Sequence, residues 1–336
     1  MPVASRHALK WSAQSNNYIP DWDLPSNTTR HFVQTPQGHL ELLVVDPPAT
    51  HQRREQALFF QHGAFGCASV WLPYTSYLSR LGYPCYALSL RGHGASWVPG
   101  MAELWCTTKA ILVQDMVAGM EWTRVEEMRK RDCNTANIVL VGHSMGGGLV
   151  QYALSEELVT VTGLILCAPA PGSGVLDVFV NFIRTDPLFV PRFLLYGLHP
   201  RAMLPTTVHV HRQLFSPEYP DDKLEDFARY LPESEAITWL LGSILEFTDF
   251  RIVVQRSIIG LKGGAPDRER ILILAGELDV MMDVRMMRRL AKRYRDAEAY
   301  TEDRGDGVRM VVVKGAGHHV QNDLQWEVGA QRVVDF

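Results

Sequence analysis

Residues 142–146 read Gly142-His143-Ser144-Met145-Gly146 and follow directly on the apolar run Ile138-Val139-Leu140-Val141. That run is short and β-branched, as a buried strand is, whereas residues 147–154 suit the opening of a helix, so Ser144 falls on a strand-to-helix turn. At such a turn the backbone is strained and the side chain projects clear of the sheet. Glycines at 142 and 146 leave room for a close backbone approach that any β-carbon would obstruct. The strand, turn and helix that give this pattern its meaning are all present, and Ser144 is the candidate nucleophile.

The rest of the chain repeats the same alternation. Residues 31–34 and 40–45 bracket the turn Thr35-Pro36-Gln37-Gly38 as an antiparallel hairpin. Residues 57–61, 83–90, 138–141, 164–167, 271–275 and 308–313 are strand candidates, and helical stretches such as 110–130 and 283–295 are long enough to cross between them. Their apolar runs are continuous rather than alternating, which implies an α/β architecture: a mostly parallel, doubly wound sheet with helices on both faces. Residues 171–270 break the rhythm, and roughly a hundred residues are too many for a structureless loop. Helix-like pieces at 177–183, 223–230 and 233–245, punctuated by Pro187, Pro191, Pro200, Pro205, Pro217 and Pro220, read as a helical cap over the carboxyl edge of the sheet. The expected organisation is an N-terminal extension (1–30), a core built from 31–170 and 271–336, and an inserted cap or lid (171–270). Within the cap, Phe179, Phe182, Phe189, Phe193, Phe215, Trp239 and Phe247 are available either to line an apolar pocket or to pack the cap on the core.

Composition narrows the function classes. With 46% hydrophobic and 21% charged residues in 336, the chain has material for a large core, which excludes disorder. A net charge of -4 offers no electrostatic argument for nucleic acid or an anionic membrane. The basic cluster Arg129-Lys130-Arg131 closes a helix, where cations complement the negative end of the dipole. Cys67, Cys85, Cys106, Cys133 and Cys167 are odd in number and widely spaced, which favours free thiols in a reducing compartment. With a polar N-terminus and no apolar run of about 18 residues, the expectation is a cytoplasmic protein without a membrane span. No G-x-G-x-x-G or P-loop supports a nucleotide cofactor. His209-Val210-His211 would set two imidazoles on one side of a strand, but no third ligand accompanies them, so neither metal nor cofactor is expected. Arg304-Gly305-Asp306 reads as a polar hairpin turn. The partner expected is a small-molecule substrate; the oligomeric state is open.

A serine hydroxyl is a poor nucleophile at neutral pH and needs a base, itself oriented by an acid. Asp279 follows the run 271–275 through Gly276-Glu277-Leu278, and His318 follows Val311-Val312-Val313-Lys314 through Gly315-Ala316-Gly317. Both therefore sit just beyond the carboxyl end of a strand, where catalytic groups gather in open α/β sheets, and the order Ser, Asp, His is that of a nucleophile elbow. His319 competes with His318 for the base, and Glu277 and Asp283 compete with Asp279 for the acid. Asp283 also suits the N-cap of the helix that follows.

Taken together with His62-Gly63-Ala64-Phe65 and Arg91-Gly92-His93-Gly94-Ala95-Ser96, these motifs make the chain from about residue 31 resemble the α/β-hydrolase superfamily, in the lid-bearing branch that includes monoacylglycerol lipases and small esterases. The resemblance implies an α/β-hydrolase fold and an oxyanion hole made by the backbone N–H groups of Ala64 and Met145. It favours His318 over His319. Gly92-His93-Gly94 reads as a tight turn bordering the site, with a substrate contact as the other role for His93. The expected activity is that of a serine hydrolase, cleaving an ester-like bond of a medium-sized, mostly apolar small molecule through an acyl-enzyme. Two alternatives stand beside it: a stand-alone thioesterase, lactonase or cyclase acting on a biosynthetic, polyketide-like intermediate, and a non-catalytic ligand-binding protein on the same fold.

Overall fold

The structure is a computed structural model and describes residues 23–232, 234–257, 269–298 and 307–336. In chain order the elements are β1 (Thr28–Gln34), β2 (His39–Val45), β3 (Gln56–Gln61), α1 (Leu72–Ser79), β4 (Cys85–Leu88), α2 (Met101–Trp105), α3 (Lys109–Arg131), β5 (Asn137–His143), α4 (Ser144–Ser155) and β6 (Gly163–Cys167). A helical insertion follows, with α5 (Leu176–Thr185), α6 (Phe189–Leu195), α7 (Thr207–Leu214), α8 (Asp221–Ala228), α9 (Ile237–Leu241) and α10 (Phe250–Arg256). The chain then returns to the sheet through β7 (Ile271–Gly276), α11 (Val284–Glu298), β8 (Val308–Val313) and α12 (Trp326–Val334).

The eight strands form one sheet in the order β1-β2-β4-β3-β5-β6-β7-β8. The β1/β2 and β2/β4 pairs are antiparallel and the remaining pairs parallel, giving the mostly parallel sheet anticipated above. The opening hairpin closes through Thr35, whose N–H and hydroxyl both donate to the Gly38 carbonyl at 2.9 and 2.7 Å. In the central strands β6 and β7 every residue is buried, which is why their sequences are continuously apolar rather than alternating. The edge strand β1 is partly exposed along its length.

Chain direction places the helices. From β3 the chain steps one way to β4 through α1, then back across β3 to β5 through α3. Right-handed crossovers in opposite directions put α1 and α3 on opposite faces. Helices α4 and α11 cross in the same direction as α3, and α4 packs on α3, while α12 packs on α1. The sheet is thus doubly wound, and the direction of winding reverses between β3 and β5.

Several boundaries differ from those read in the sequence, most of them in the insertion. The stretch 233–245 contributes only α9, and α6 forms across Pro191, which lies in the first turn of that helix, where proline costs no hydrogen bond. His209 and His211 lie on α7, not on a strand. Their Val-His-Val-His alternation imitates a strand, but the buried residues Val210 and Leu214 are four apart, the spacing of a helix face. Helix α10 packs against α4 and α11. Arg304-Gly305-Asp306 and residues 1–22 lie outside the described residues. Among the described residues no helix is long and apolar enough to cross a membrane, and no group of three or more His, Cys, Asp or Glu side chains is placed to hold a metal.

Candidate active site

The point where the winding reverses brings two loops together at the carboxyl ends of adjacent strands. Gln61 at the end of β3 pairs with Gly142 near the end of β5, so the loop 62–65 lies against the turn at Ser144. Contact there is tight: a β-carbon on Gly146 would lie 2.1 Å from the His62 carbonyl oxygen. Ser144 opens α4 with φ of +52°, a left-handed backbone that a serine holds only under constraint from its surroundings. The N–H of Met145 falls in the first turn of α4, where amides have no intrahelical acceptor and the helix dipole favours negative charge.

The other two groups arrive from the next strand ends. Asp279 follows β7 and His318 follows β8, and these strands pair in parallel through Gly276 and Val313. Their loops touch as closely as the first two, since a β-carbon on Gly276 would meet the Gly317 carbonyl oxygen at 2.0 Å. Asp279 is buried, and its Oδ1 accepts the N–H groups of Met281 and Met282 at 2.9 Å each. Its Oδ2 lies 2.8 Å from His318 Nδ1. A carboxylate can only accept, so Nδ1 donates, and in the neutral imidazole Nε2 then keeps its lone pair. That Nε2 lies 2.9 Å from Ser144 Oγ, placed to accept a hydrogen bond from the hydroxyl in this tautomer.

The competing residues are engaged elsewhere. His319 donates from Nδ1 to Asn322 Oδ1 at 3.0 Å and packs against the rings of Phe215 and Phe227. Glu277 accepts the Gly315 N–H at 2.8 Å, and Asp283 accepts the Met286 N–H at 2.9 Å as a helix cap. His93 is not among the residues lining the cavity at Ser144 and pairs with Glu235 of the insertion at 3.2 Å.

The surroundings of His318 are a cluster of neutral imidazoles. Burial, reinforced by the neighbouring His93, pushes His62 down to about 3, and burial with the adjacent His318 does the same to His319. His143 is held well below its ordinary value by burial and by the His319 and His318 rings, whose centroids lie 4.3 and 4.8 Å away. The His143 ring also donates from Nε2 to the His318 carbonyl at 3.2 Å, tying the elbow to the histidine loop.

Ser144 opens into a cavity of about 80 Å³. Ala64, Met145, His318 and His319 line its floor, and Val175, Val178, Phe179, Phe182, Met203, Leu204, Leu214 and Leu240 of the insertion close it from above, with Met281 and Met282 at one side. Of the insertion aromatics named from the sequence, Phe179 and Phe182 reach the cavity. Phe215 stacks on Tyr219 with centroids 4.0 Å apart, and Trp239 is buried in the core away from the cavity wall. Asp323 was not singled out by any motif, yet it is fully buried and accepts the N–H groups of Ser216 and Gly317 at 2.7 Å each, joining the insertion to the histidine loop.

A doubly wound α/β sheet with a serine turn at its switch point defines the class of protein. The model of the alpha/beta hydrolase family matches residues 57–334, and the chain belongs to that family. Among curated proteins it is 38% identical to Protein ABHD8 of Mus musculus over 99 residues, 30% of this chain and 20% of that one. It is 31% identical to Protein phosphatase methylesterase 1 of Bos taurus over 134 residues, 39% of this chain and 33% of that one, so the matches span a third or less of these relatives. Among solved structures, a soluble variant of monoglyceride lipase from Saccharomyces cerevisiae superposes with a TM-score of 0.61 at 14% identity, covering 94% of this chain and 97% of that one, which is a likeness of fold.

Proposed function

We propose that the protein is a serine hydrolase that cleaves an ester-like bond in a mostly apolar small molecule through an acyl-enzyme. The observation that carries this reading is the pair of hydrogen bonds linking Asp279, His318 and Ser144 at the floor of an apolar cavity. In this reading Ser144 attacks the carbonyl while His318 Nε2 takes its proton and returns it to the leaving group; Asp279 fixes the tautomer and stabilises the transient imidazolium. The N–H groups of Ala64 and Met145 receive the oxyanion, each donor commonly worth about a hundredfold or more in rate. Water then releases the acyl group. Residues 171–270 act as the cap, and its side chains set the shape of the acyl site.

The cavity lining holds no Asp, Glu, Lys or Arg side chain, so it suits a neutral acyl group. At about 80 Å³ it is smaller than the roughly 300–1,000 Å³ of drug-sized ligand sites, so a medium-sized substrate requires rearrangement of the wall. Four lining methionines, Met145, Met203, Met281 and Met282, supply it, because a thioether chain with three rotatable bonds repacks readily.

The test is covalent labelling with a serine-reactive fluorophosphonate and peptide mapping, followed by a panel of esters, thioesters and lactones. The expected result is a single adduct on Ser144 and turnover of at least one neutral ester, both lost in Ser144→Ala. An unlabelled Ser144, or a Ser144→Ala variant that keeps its activity, overturns the reading.

A further inference from the structure

Glu235 is an acid that the hydrolytic steps do not use. It sits in the insertion between α8 and α9 at 1% exposure, and neither it nor His93 lines the cavity. Its Oε2 accepts the Phe65 N–H at 2.7 Å and meets His93 Nε2 at 3.2 Å, while its Oε1 accepts the Ala236 N–H at 2.8 Å. His93 is equally buried and uses Nδ1 to donate to the Arg91 carbonyl at 2.8 Å. An imidazole that donates from Nδ1 can meet a carboxylate through Nε2 only by donating again, so the pair is imidazolium and carboxylate. The electrostatics agree. Burial pulls His93 down, but the Glu235 charge and hydrogen bond, with the Arg91 carbonyl and Asp115, outweigh it and leave His93 above its ordinary value. Burial likewise pushes Glu235 up, and the His93 charge and hydrogen bond with the Phe65 and Ala236 amides bring it below the usual carboxylate range.

The amide that Glu235 holds is a strained one. Phe65 has φ of +57°, a conformation that a bulky residue keeps only where its neighbours impose it. The Phe65 N–H belongs to the peptide plane that begins at Ala64, so fixing that plane leaves only the two torsions of Ala64 to aim its own N–H. A buried ion pair is a weak source of stability compared with apolar packing of the same volume. What it provides here is an acceptor for a strained amide with no net charge left beside the site.

We infer that Glu235 and His93 are positioning residues: the buried pair clamps the insertion to the loop after β3 and fixes the Phe65 peptide, so that the Ala64 N–H stays aimed at the oxyanion, with His93 cancelling the Glu235 charge. The inference rests on the reading of Ala64 as an oxyanion donor. The test compares the full chain with Glu235→Leu, Glu235→Gln and His93→Ala by backbone amide hydrogen exchange over residues 62–66, by kinetics with p-nitrophenyl butyrate, and by the rate of phosphonate labelling of Ser144. In Glu235→Leu the Phe65 amide should exchange at least tenfold faster, and kcat and the labelling rate should fall together by roughly ten- to a hundredfold with KM within about twofold, approaching the loss of one oxyanion donor. Glu235→Gln still accepts the Phe65 N–H and should recover most of kcat. His93→Ala should lower kcat while Phe65 stays protected, because it leaves a carboxylate uncompensated beside the oxyanion. Should Glu235→Leu not fold, His93→Ala and Glu235→Gln carry the comparison. Unchanged Phe65 exchange in Glu235→Leu, or a kcat loss that Glu235→Gln fails to rescue, overturns the inference. If the wild-type chain neither hydrolyses the ester nor takes the label, the hydrolase reading falls by itself, and amide exchange still decides whether Glu235 holds the loop.

Discussion

Three imidazoles buried around Ser144 should make the fold acid-labile. His62, His143 and His319 are 1, 1 and 4% exposed, and each is neutral in the folded chain for the reasons of burial and imidazole crowding given above. Unfolded, each titrates near 6.5. A base whose folded pKa is lowered contributes its full stability above the unfolded value and loses it as pH falls from there toward the folded value. Between pH 7.5 and 5.5 each such histidine costs on the order of 1 kcal/mol, and the three together a few kcal/mol, out of a typical total of about 5–15. His93 works in the opposite sense. Its folded pKa is raised, so its stabilisation is complete below about pH 6.5 and is lost as pH rises through the folded value, which offsets part of one imidazole over this interval. Glu235 is held low and withdraws its contribution only below about pH 4.5, outside the window. Urea melts at pH 7.5, 6.5 and 5.5 and constant ionic strength measure the loss directly. His319→Phe keeps the ring contacts with Phe215 and Phe227 and should shrink the drop by about a third. A stability flat to within about 0.5 kcal/mol across the interval, or an unchanged slope in His319→Phe, would refute the reasoning.

Further outcomes follow from the geometry of the site. Asp279→Asn keeps an acceptor for the Met281 and Met282 amides but can turn an amino group toward His318 Nδ1, imposing the wrong tautomer; kcat should fall by about 10⁴ with the melting temperature little changed, as steady-state kinetics and calorimetry can check. Gly146→Ala would press a methyl group to 2.1 Å from the His62 carbonyl, and a destabilisation of about 1–3 kcal/mol or more is expected in denaturant melts, together with loss of Ser144 labelling. Met203→Ala opens the cavity wall, and each further methylene of acyl chain it admits should raise kcat/KM about fourfold, measured on a homologous series of p-nitrophenyl esters.

Where local chemistry decides structure, the sequence is readable. Continuously apolar runs marked β5, β6 and β7 because those strands are largely buried, and Ser144 and Asp279 stood out because each follows such a run; His318 stood out after the apolar run of β8, although that edge strand is partly exposed. The structure brings those three within hydrogen-bonding distance. The insertion was less legible, since its helices are short and their apolar faces are defined by what they cover. In α7 alternating histidine and valine imitate a strand, and only the buried pair Val210 and Leu214 reveals the helix. Glu235 carried no signal at all: its partners His93 and Phe65 lie 142 and 170 residues away in the chain. Asp323 is similar, holding Ser216 across 107 residues. Such long-range polar contacts follow no local periodicity, so they become visible only when the fold has closed.

The methionine wall of the cavity also sets how the protein ages. Conversion of a thioether to its sulfoxide turns a pliant apolar side chain into a polar one. Met203 is the only one of the four that is partly exposed, whereas Met145, Met281 and Met282 are buried, so peroxide reaches Met203 first. Within the cavity the first oxidative lesion therefore falls on Met203, after the far more exposed Met101, which lies outside the lining. A stored sample of the proposed hydrolase would change its acyl-chain selectivity before losing phosphonate labelling of Ser144, and reduction by methionine sulfoxide reductase would restore it.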